Sequence, residues 1–185
     1  MDPLMDPRLL QKHLSGLIAA EKTLAVVPKW VEHQDQLRYV TSLEIGGVAQ
    51  EGIRLRGQCR REYQDHNVTF QIEHLFKQSG RFVPVIRLDW RPQEPHQNRN
   101  MGPLEWRLIR IDGSHLHPLD ANMNWMVEEA MTATEFAHAQ RNLPIAAPLE
   151  DDPATFAELL ALVGRCFGIA GTETIPTPPW SRRLL

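Results

Sequence analysis

Three histidines form the most chemically suggestive pattern in this chain: His96, His115 and His117. His115 and His117 stand two apart in Ser-His-Leu-His-Pro, so on a β-strand their imidazoles project from one face. That spacing suits two metal ligands, and His96, in the loop before, offers a third nitrogen. Three histidines with one open position fit a hydrolytic zinc. No Cys, Asp or Glu stands at a convincing ligand spacing beside them, and Asp89 and Asp120 are the only candidate additions. Without metal, the same imidazoles, aided by Arg87 or Arg110, suit general acid–base cleavage of a phosphodiester, because histidine titrates near neutrality. The plainer alternative has all three rings hydrogen-bonded to loop backbone, holding the excursion from Arg91 to Pro103 against a sheet.

A second pattern is cationic. Arg54, Arg56 and Arg60 alternate along one strand face, with Arg61, Arg87 and Arg110 as extensions that depend on strand order. Such a stripe is a footprint for phosphate, nucleic acid or an acidic partner. It equally fits cross-strand pairing with Glu44, Glu62, Glu73 and Asp89. Phe70, Phe82 and Trp90 fall in the opposite, core-facing register, so a stacking platform on the arginine face is not expected. Cys59 lies in an apolar phase, which favours an inert thiol over a nucleophile. No GxSxG, P-loop, GxGxxG or HExxH pattern occurs, which removes the main support for several large enzyme classes.

The elements that must position these residues are readable from periodicity. Asp6-Pro7 is a helix start, and Leu9, Leu10, Leu14, Leu17 and Ile18 follow at helical spacing to about Lys22. Four alternating runs come next, around 37–45, 53–60, 68–76 and 82–90, separated by Gly46-Gly47, Gln64-Asp65 and Ser79-Gly80. They predict an antiparallel meander with one apolar and one wet face. Asp112-Gly113 predicts a type I′ hairpin pairing Arg110 with His115 and placing Arg110, His115 and His117 together on the wet face. Met123 to about Gln140 reads as a helix. A final helix opens at Asp152-Pro153, carries Phe156, Leu159, Leu160, Val163 and Phe167 on one face, and stops at Gly168.

The chain has 185 residues, 42% hydrophobic and 23% charged, which fits one globular domain with a sizeable core. A net charge of -3 argues against a generally cationic nucleic-acid or membrane binder while allowing a local basic patch. Two cysteines, far apart, make neither a disulfide framework nor a metal clamp, so a reduced cytoplasm is expected. No signal-peptide order and no apolar run of roughly 20 residues is present.

The segments Arg87-Leu-Asp-Trp, Pro95-His-Gln-Asn98 and Asp112-Gly-Ser-His-Leu-His117 resemble an uncharacterised family of small bacterial and phage proteins. Their shared stretch reads roughly Arg-Leu-Asp, His-x-Asn-Pro-Asp-Gly, then His-Leu-His. The likeness covers Tyr39 to Ile169 and includes Pro148-Leu-Glu-Asp-Asp152. Here Asn98 is followed by Arg-Asn-Met-Gly instead of Pro-Asp-Gly, and the spacer from Leu104 to Ile111 is longer. The resemblance implies the fold and points to the histidine patch, but carries no activity.

Together these readings predict an α+β protein: a curled antiparallel sheet of about five or six strands, packed by N- and C-terminal helices. Residues 1–171 form one domain and 172–185 an extended or disordered tail. The expected role is that of a binding or accessory protein recognising an anionic partner, phosphate or nucleic acid, through Arg54, Arg56, Arg60, Arg87 and Arg110. The alternative is a small phosphodiester hydrolase using His96, His115 and His117. A third reading has the protein act by docking another protein. The sequence requires no cofactor and leaves zinc open.

Overall fold

Asp6 opens helix α1 (Pro7–Ala19) with its carboxylate accepting from the Arg8 N–H, and Leu10 and Leu14 carry the buried stripe. The computed structural model describes residues 6–77, 79–129, 131, 135 and 143–181. After α1 come β1 (Lys22–Leu24), β2 (Val31–His33), β3 (Gln36–Ile45), β4 (Val48–Arg60), β5 (Val68–Phe76) and β6 (Arg81–Trp90). The rest of the chain supplies β7 (His96–Gln97), β8 (Arg110–Ile111), β9 (His115–His117), α2 (Leu119–Glu128), β10 (Ala147–Pro148), α3 (Phe156–Phe167) and β11 (Ile169–Ala170).

The predicted meander is present as β3 to β6, each strand antiparallel to the next. The sheet around it differs from expectation. Among the described residues it has nine strands, in the order β10-β9-β6-β5-β4-β3-β1-β11, with β2 also on β3. It is mixed, because β1 and β11 run parallel. It is also open, since its terminal strands β10 and β11 do not pair with each other. The curled, wholly antiparallel sheet of five or six strands is therefore corrected. Strands of two or three residues show no period to read. The parallel pair forms because Gly168, left-handed at φ 62°, ends α3 and turns the chain back beside Lys22.

One face of the sheet is apolar. Leu37, Leu55, Phe70, Ile72, Leu88 and Trp90 pack there against Leu10 and Leu14 of α1 and Leu159, Val163 and Phe167 of α3. The other face is polar and carries the candidate site. A bulge in β6 complicates the division: Ile72 pairs with Ile86, but Glu73 pairs with Pro84. The extra residue switches the strand's phase. Phe82, expected in the core, instead lies under the Arg54 guanidinium, 3.7 Å from ring centroid to Cζ.

Helix α2 begins at Leu119, four residues earlier than expected, and buries Met123 and Met126. Most of the expected helix beyond Met131 lies outside the described residues. Cys59 is buried, and burial pushes its thiol up to about 12, as suits an inert core residue. The segment after Thr172 packs as far as Ser181: Ile175 is buried, Trp30 donates to the Pro176 carbonyl at 2.7 Å, and Trp180 meets Phe156 edge-on. Among the described residues, no helix is long and apolar enough to cross a membrane.

Two buried polar groups on the core side generate predictions. Lys22 is fully buried, and its ammonium donates to the carbonyls of Leu17, Ile18 and Ala20 at 2.5–3.0 Å, closing the open end of α1. Lys22→Met leaves those carbonyls unpaired and should lower unfolding free energy by about 1–3 kcal/mol in urea titration. His74 is 7% exposed, and its Nδ1 has no hydrogen-bond partner among the described residues. Burial, with His13 and Lys77 nearby, pushes it down to about 4. An unfolded histidine titrates near 6.5, so between pH 6.5 and 4 the unfolded chain holds the extra proton. Stability should therefore fall across that window, by about 3 kcal/mol from this residue. His74→Leu should make the profile, measured by denaturant titration at stepped pH, shallower by that amount.

Candidate metal centre

Strand register builds the site. Two rows cross the polar face side by side. One reads Arg56, Gln71, Arg87, His117; the other reads Gln58, Thr69, Asp89, His115. The i,i+2 spacing of His115 and His117 places both imidazoles above β6, where Arg87 and Asp89 share the same spacing. His96 arrives separately from β7, which pairs with β8 as a two-stranded sheet of its own. The ring centroids of the three histidines lie 4.7–5.3 Å apart. One nitrogen from each falls within 4.8 Å of the others, so the triad can hold a metal ion.

Each ring is oriented by a backbone carbonyl. His115 Nδ1 donates to Gly113 O at 2.9 Å, His117 Nδ1 to Leu143 O at 2.5 Å, and His96 Nε2 to Pro144 O at 3.2 Å. This leaves Nε2 of His115, Nε2 of His117 and Nδ1 of His96 as the lone-pair nitrogens. Metal-binding histidines are characteristically fixed in this way through their other N–H. Tetrahedral zinc, with Zn–N near 2.0–2.1 Å, needs nitrogens roughly 3.4 Å apart, so the triad closes by at most ~1.5 Å per pair.

Asp89 completes the cluster. Its Oδ2 lies 3.3 Å from His115 Nε2 and 3.2 Å from His117 Nε2, and accepts from Arg87 Nε at 2.8 Å. Its Oδ1 accepts from Thr69 Oγ1 at 2.6 Å. Burial alone would raise its carboxyl, but the Arg87 charge beside it holds it well below the ordinary range. Burial pushes His117 down to about 4 and lowers His96. Both are therefore neutral at pH 7, as metal ligation requires. Arg87 Nη2 donates to His117 Nε2 at 2.7 Å.

Two asparagines hold the segment that supplies the orienting carbonyls. Asn98 is fully buried, donates to Trp106 O and Ala146 O, and accepts from Ala146 N. Asn122, also fully buried, donates to Pro118 O and Ile145 O and accepts from Ile145 N. Between them they clamp residues 145–146, immediately after the carbonyls that His117 and His96 use. Leu143 is held at φ 41°, a strained conformation for a branched residue, while its carbonyl accepts from His117.

The cluster opens onto a cleft of about 560 Å³ whose lining includes Arg56, Arg60, Arg87, Thr69, Asp89 and His96. Three of the five arginines expected to bind anions thus meet there. Arg54 instead pairs with the buried Glu73, which also takes Arg56 at 3.3 Å, and Arg60 pairs with Asp35. Arg110 is exposed, pairs with Asp112 and lies outside this cleft, so its expected place beside the histidines is corrected. The hairpin behind that expectation does not form. Neither Asp112 nor Gly113 has the positive φ that a type I′ turn needs; Arg110 and Ile111 pair with Gln97 and His96, while His115 faces Asp89 and Pro148. The histidines expected on the wet face do share it, but enclosed: His115 is 2% exposed and His117 0%. Asp120 is exposed on α2, where Ser15 donates to it, and joins no metal-ligating cluster among the described residues.

Asn122, the 143–146 segment and Thr69 escaped the sequence reading, because nothing in periodicity marks an amide that bonds to distant backbone. Asn122→Leu should cost at least about 2 kcal/mol by leaving buried backbone groups unpaired. It should also release His117 from its Nδ1–H tautomer, read from imidazole 15N shifts.

Comparison with protein-family models, curated proteins and solved structures finds no match.

Proposed function

We propose that the protein is a zinc-dependent hydrolase of phosphodiesters, with His96, His115 and His117 as the metal ligands. The observation that carries this reading is the convergence of one nitrogen from each of three imidazoles, in rings that each also bond a backbone carbonyl. Zinc at such a triad lowers the pKa of a bound water toward neutrality. The neighbouring side chains fit the rest of the reaction. Asp89, its other oxygen fixed by Thr69, accepts a hydrogen bond from the attacking water and orients it. Arg87, Arg56 and Arg60 face the substrate's non-bridging oxygens, where charge-assisted donors stabilise the crowded phosphorane-like state. The water oxygen forms a bond to phosphorus, the ester P–O bond breaks, and the leaving oxygen takes up the proton that the water released.

Anion recognition, the role expected of the arginines, is thereby the binding half of the same site. Metal-free acid–base catalysis by the histidines fits less well. Each imidazole N–H is held by a carbonyl, and His117 is driven neutral by burial, so no ring is poised to hand over a proton.

Protein purified without a histidine tag and dialysed against zinc should keep about one ion per chain, as a three-histidine site predicts. It should hydrolyse bis(p-nitrophenyl) phosphate, lose the activity to a chelator, and regain it with zinc. His115→Ala combined with His117→Ala should abolish both metal retention and hydrolysis. Failure of wild-type protein to bind zinc at stoichiometric level would overturn the reading.

A further inference from the structure

A second cleft, of about 450 Å³, shares two walls with the first: Arg87 and His96 line both. Its other lining has a different chemistry, with the Trp125 indole, the Met101 thioether, the Pro144 ring and the Arg99 guanidinium. Trp125 is half-buried at the last turns of α2, and Arg99 is exposed. The arginine-lined cleft offers charge to oxygens, whereas this one offers a flat aromatic face, a polarizable sulfur and a planar cation. Gln97 also lines it. Its amide N–H groups are taken up by the carbonyls of Asn98, Leu108 and Ile109, which leaves its oxygen as the acceptor.

We propose that this second cleft binds a nucleobase, so that the phosphodiester cleaved at the histidine cluster is a nucleotide linkage. The inference rests on the phosphodiester reading above and narrows it to one substrate class. Bases stack on aromatic faces with little dependence on sequence, and a guanidinium can cover the opposite side of the ring. An unsubstituted alkyl phosphate would leave the Trp125 face bare. A nucleotide has its charged and flat parts separated by one sugar, matching two chemically distinct clefts that meet at Arg87 and His96. The site described above does not need Trp125, Met101 or Arg99, so their position beside it is otherwise unexplained.

The test compares adenosine 5′-monophosphate with ribose 5-phosphate, which carries the same phosphate and sugar without the base. Calorimetric titration of wild-type protein should show the nucleotide binding on the order of tenfold more tightly, the usual effect of one stacked base. Trp125→Ala should bring the two ligands level, and Trp125→Phe should keep most of the preference. Equal affinities in wild-type protein would overturn the base subsite while leaving the phosphate cleft standing. Binding of neither ligand would remove the phosphate cleft, and the base subsite with it. Zinc retention, measured on the same preparation, reports separately on the metal centre.

Discussion

Asp89 Oδ2 and the Nε2 atoms of His115 and His117 all present lone pairs to one small space, at separations of 3.2 and 3.3 Å from the carboxylate. With the Nδ1 protons of both rings held by Gly113 and Leu143, those lone pairs repel unless positive charge lies among them. Arg87 supplies that charge, bonding Asp89 through Nε and His117 through Nη2. Remove the guanidinium and a nearly buried carboxylate faces two nitrogen lone pairs in a region of low dielectric, an arrangement worth several kcal/mol of penalty. The polar face of the sheet is organised so that this cation stays where it is.

Register and clamping provide that organisation at two scales. Antiparallel pairing places Arg87 opposite both Gln71 and His117, and Asp89 opposite both Thr69 and His115, so four strands contribute to two parallel rows. A slip of one residue in β9 would turn both imidazoles into the apolar core and expose Leu116 in their place. The rotation of His117 and His96 is fixed by carbonyls on the segment that Asn98 and Asn122 grip, and that of His115 by Gly113. Each asparagine bonds both to and from backbone in that grip, which a hydrophobic residue of the same volume cannot imitate. Sheet pairing thus sets where His115 and His117 stand, and the two amides hold the carbonyls that orient His117 and His96.

The sequence carried the first scale better than the second. Alternation in β3 to β6 placed Arg56, Arg87 and Asp89 on the polar face, and the His-Leu-His spacing put His115 and His117 on one side of their strand. The position of His96 as a third nitrogen followed from its place in the preceding loop. Misreadings occurred where local chemistry was overridden by pairing at a distance. Asp112-Gly113 is a strong hairpin signal, yet β8 finds its partner in β7, and β9 finds β6 and β10. The bulge at Val85 moved Phe82 from core to polar face, because one extra residue inverts every side chain before it. Strands as short as β10 and β11 have no pattern at all. Asn122 looked like any polar residue near a helix start, since the groups it satisfies are 23 residues away.

A divalent ion held by one nitrogen of each histidine would change what Arg87 is for. The ion and the guanidinium compete for the same lone pair on His117, and only one can hold it. With the ion in place, the charge that keeps Asp89 and the histidines together is supplied by the metal, and the Nη2 donor of Arg87 is released. Arg87 already lines both clefts. Its Nε bond to Asp89 does not depend on His117, so the guanidinium stays anchored at one end while the other faces the cleft. The cluster then gains a donor for an anionic oxygen at the moment its own need for positive charge has been met. A lysine could not serve both states, because a single ammonium has no fixed fork with which to keep Asp89 and offer a second, oriented N–H.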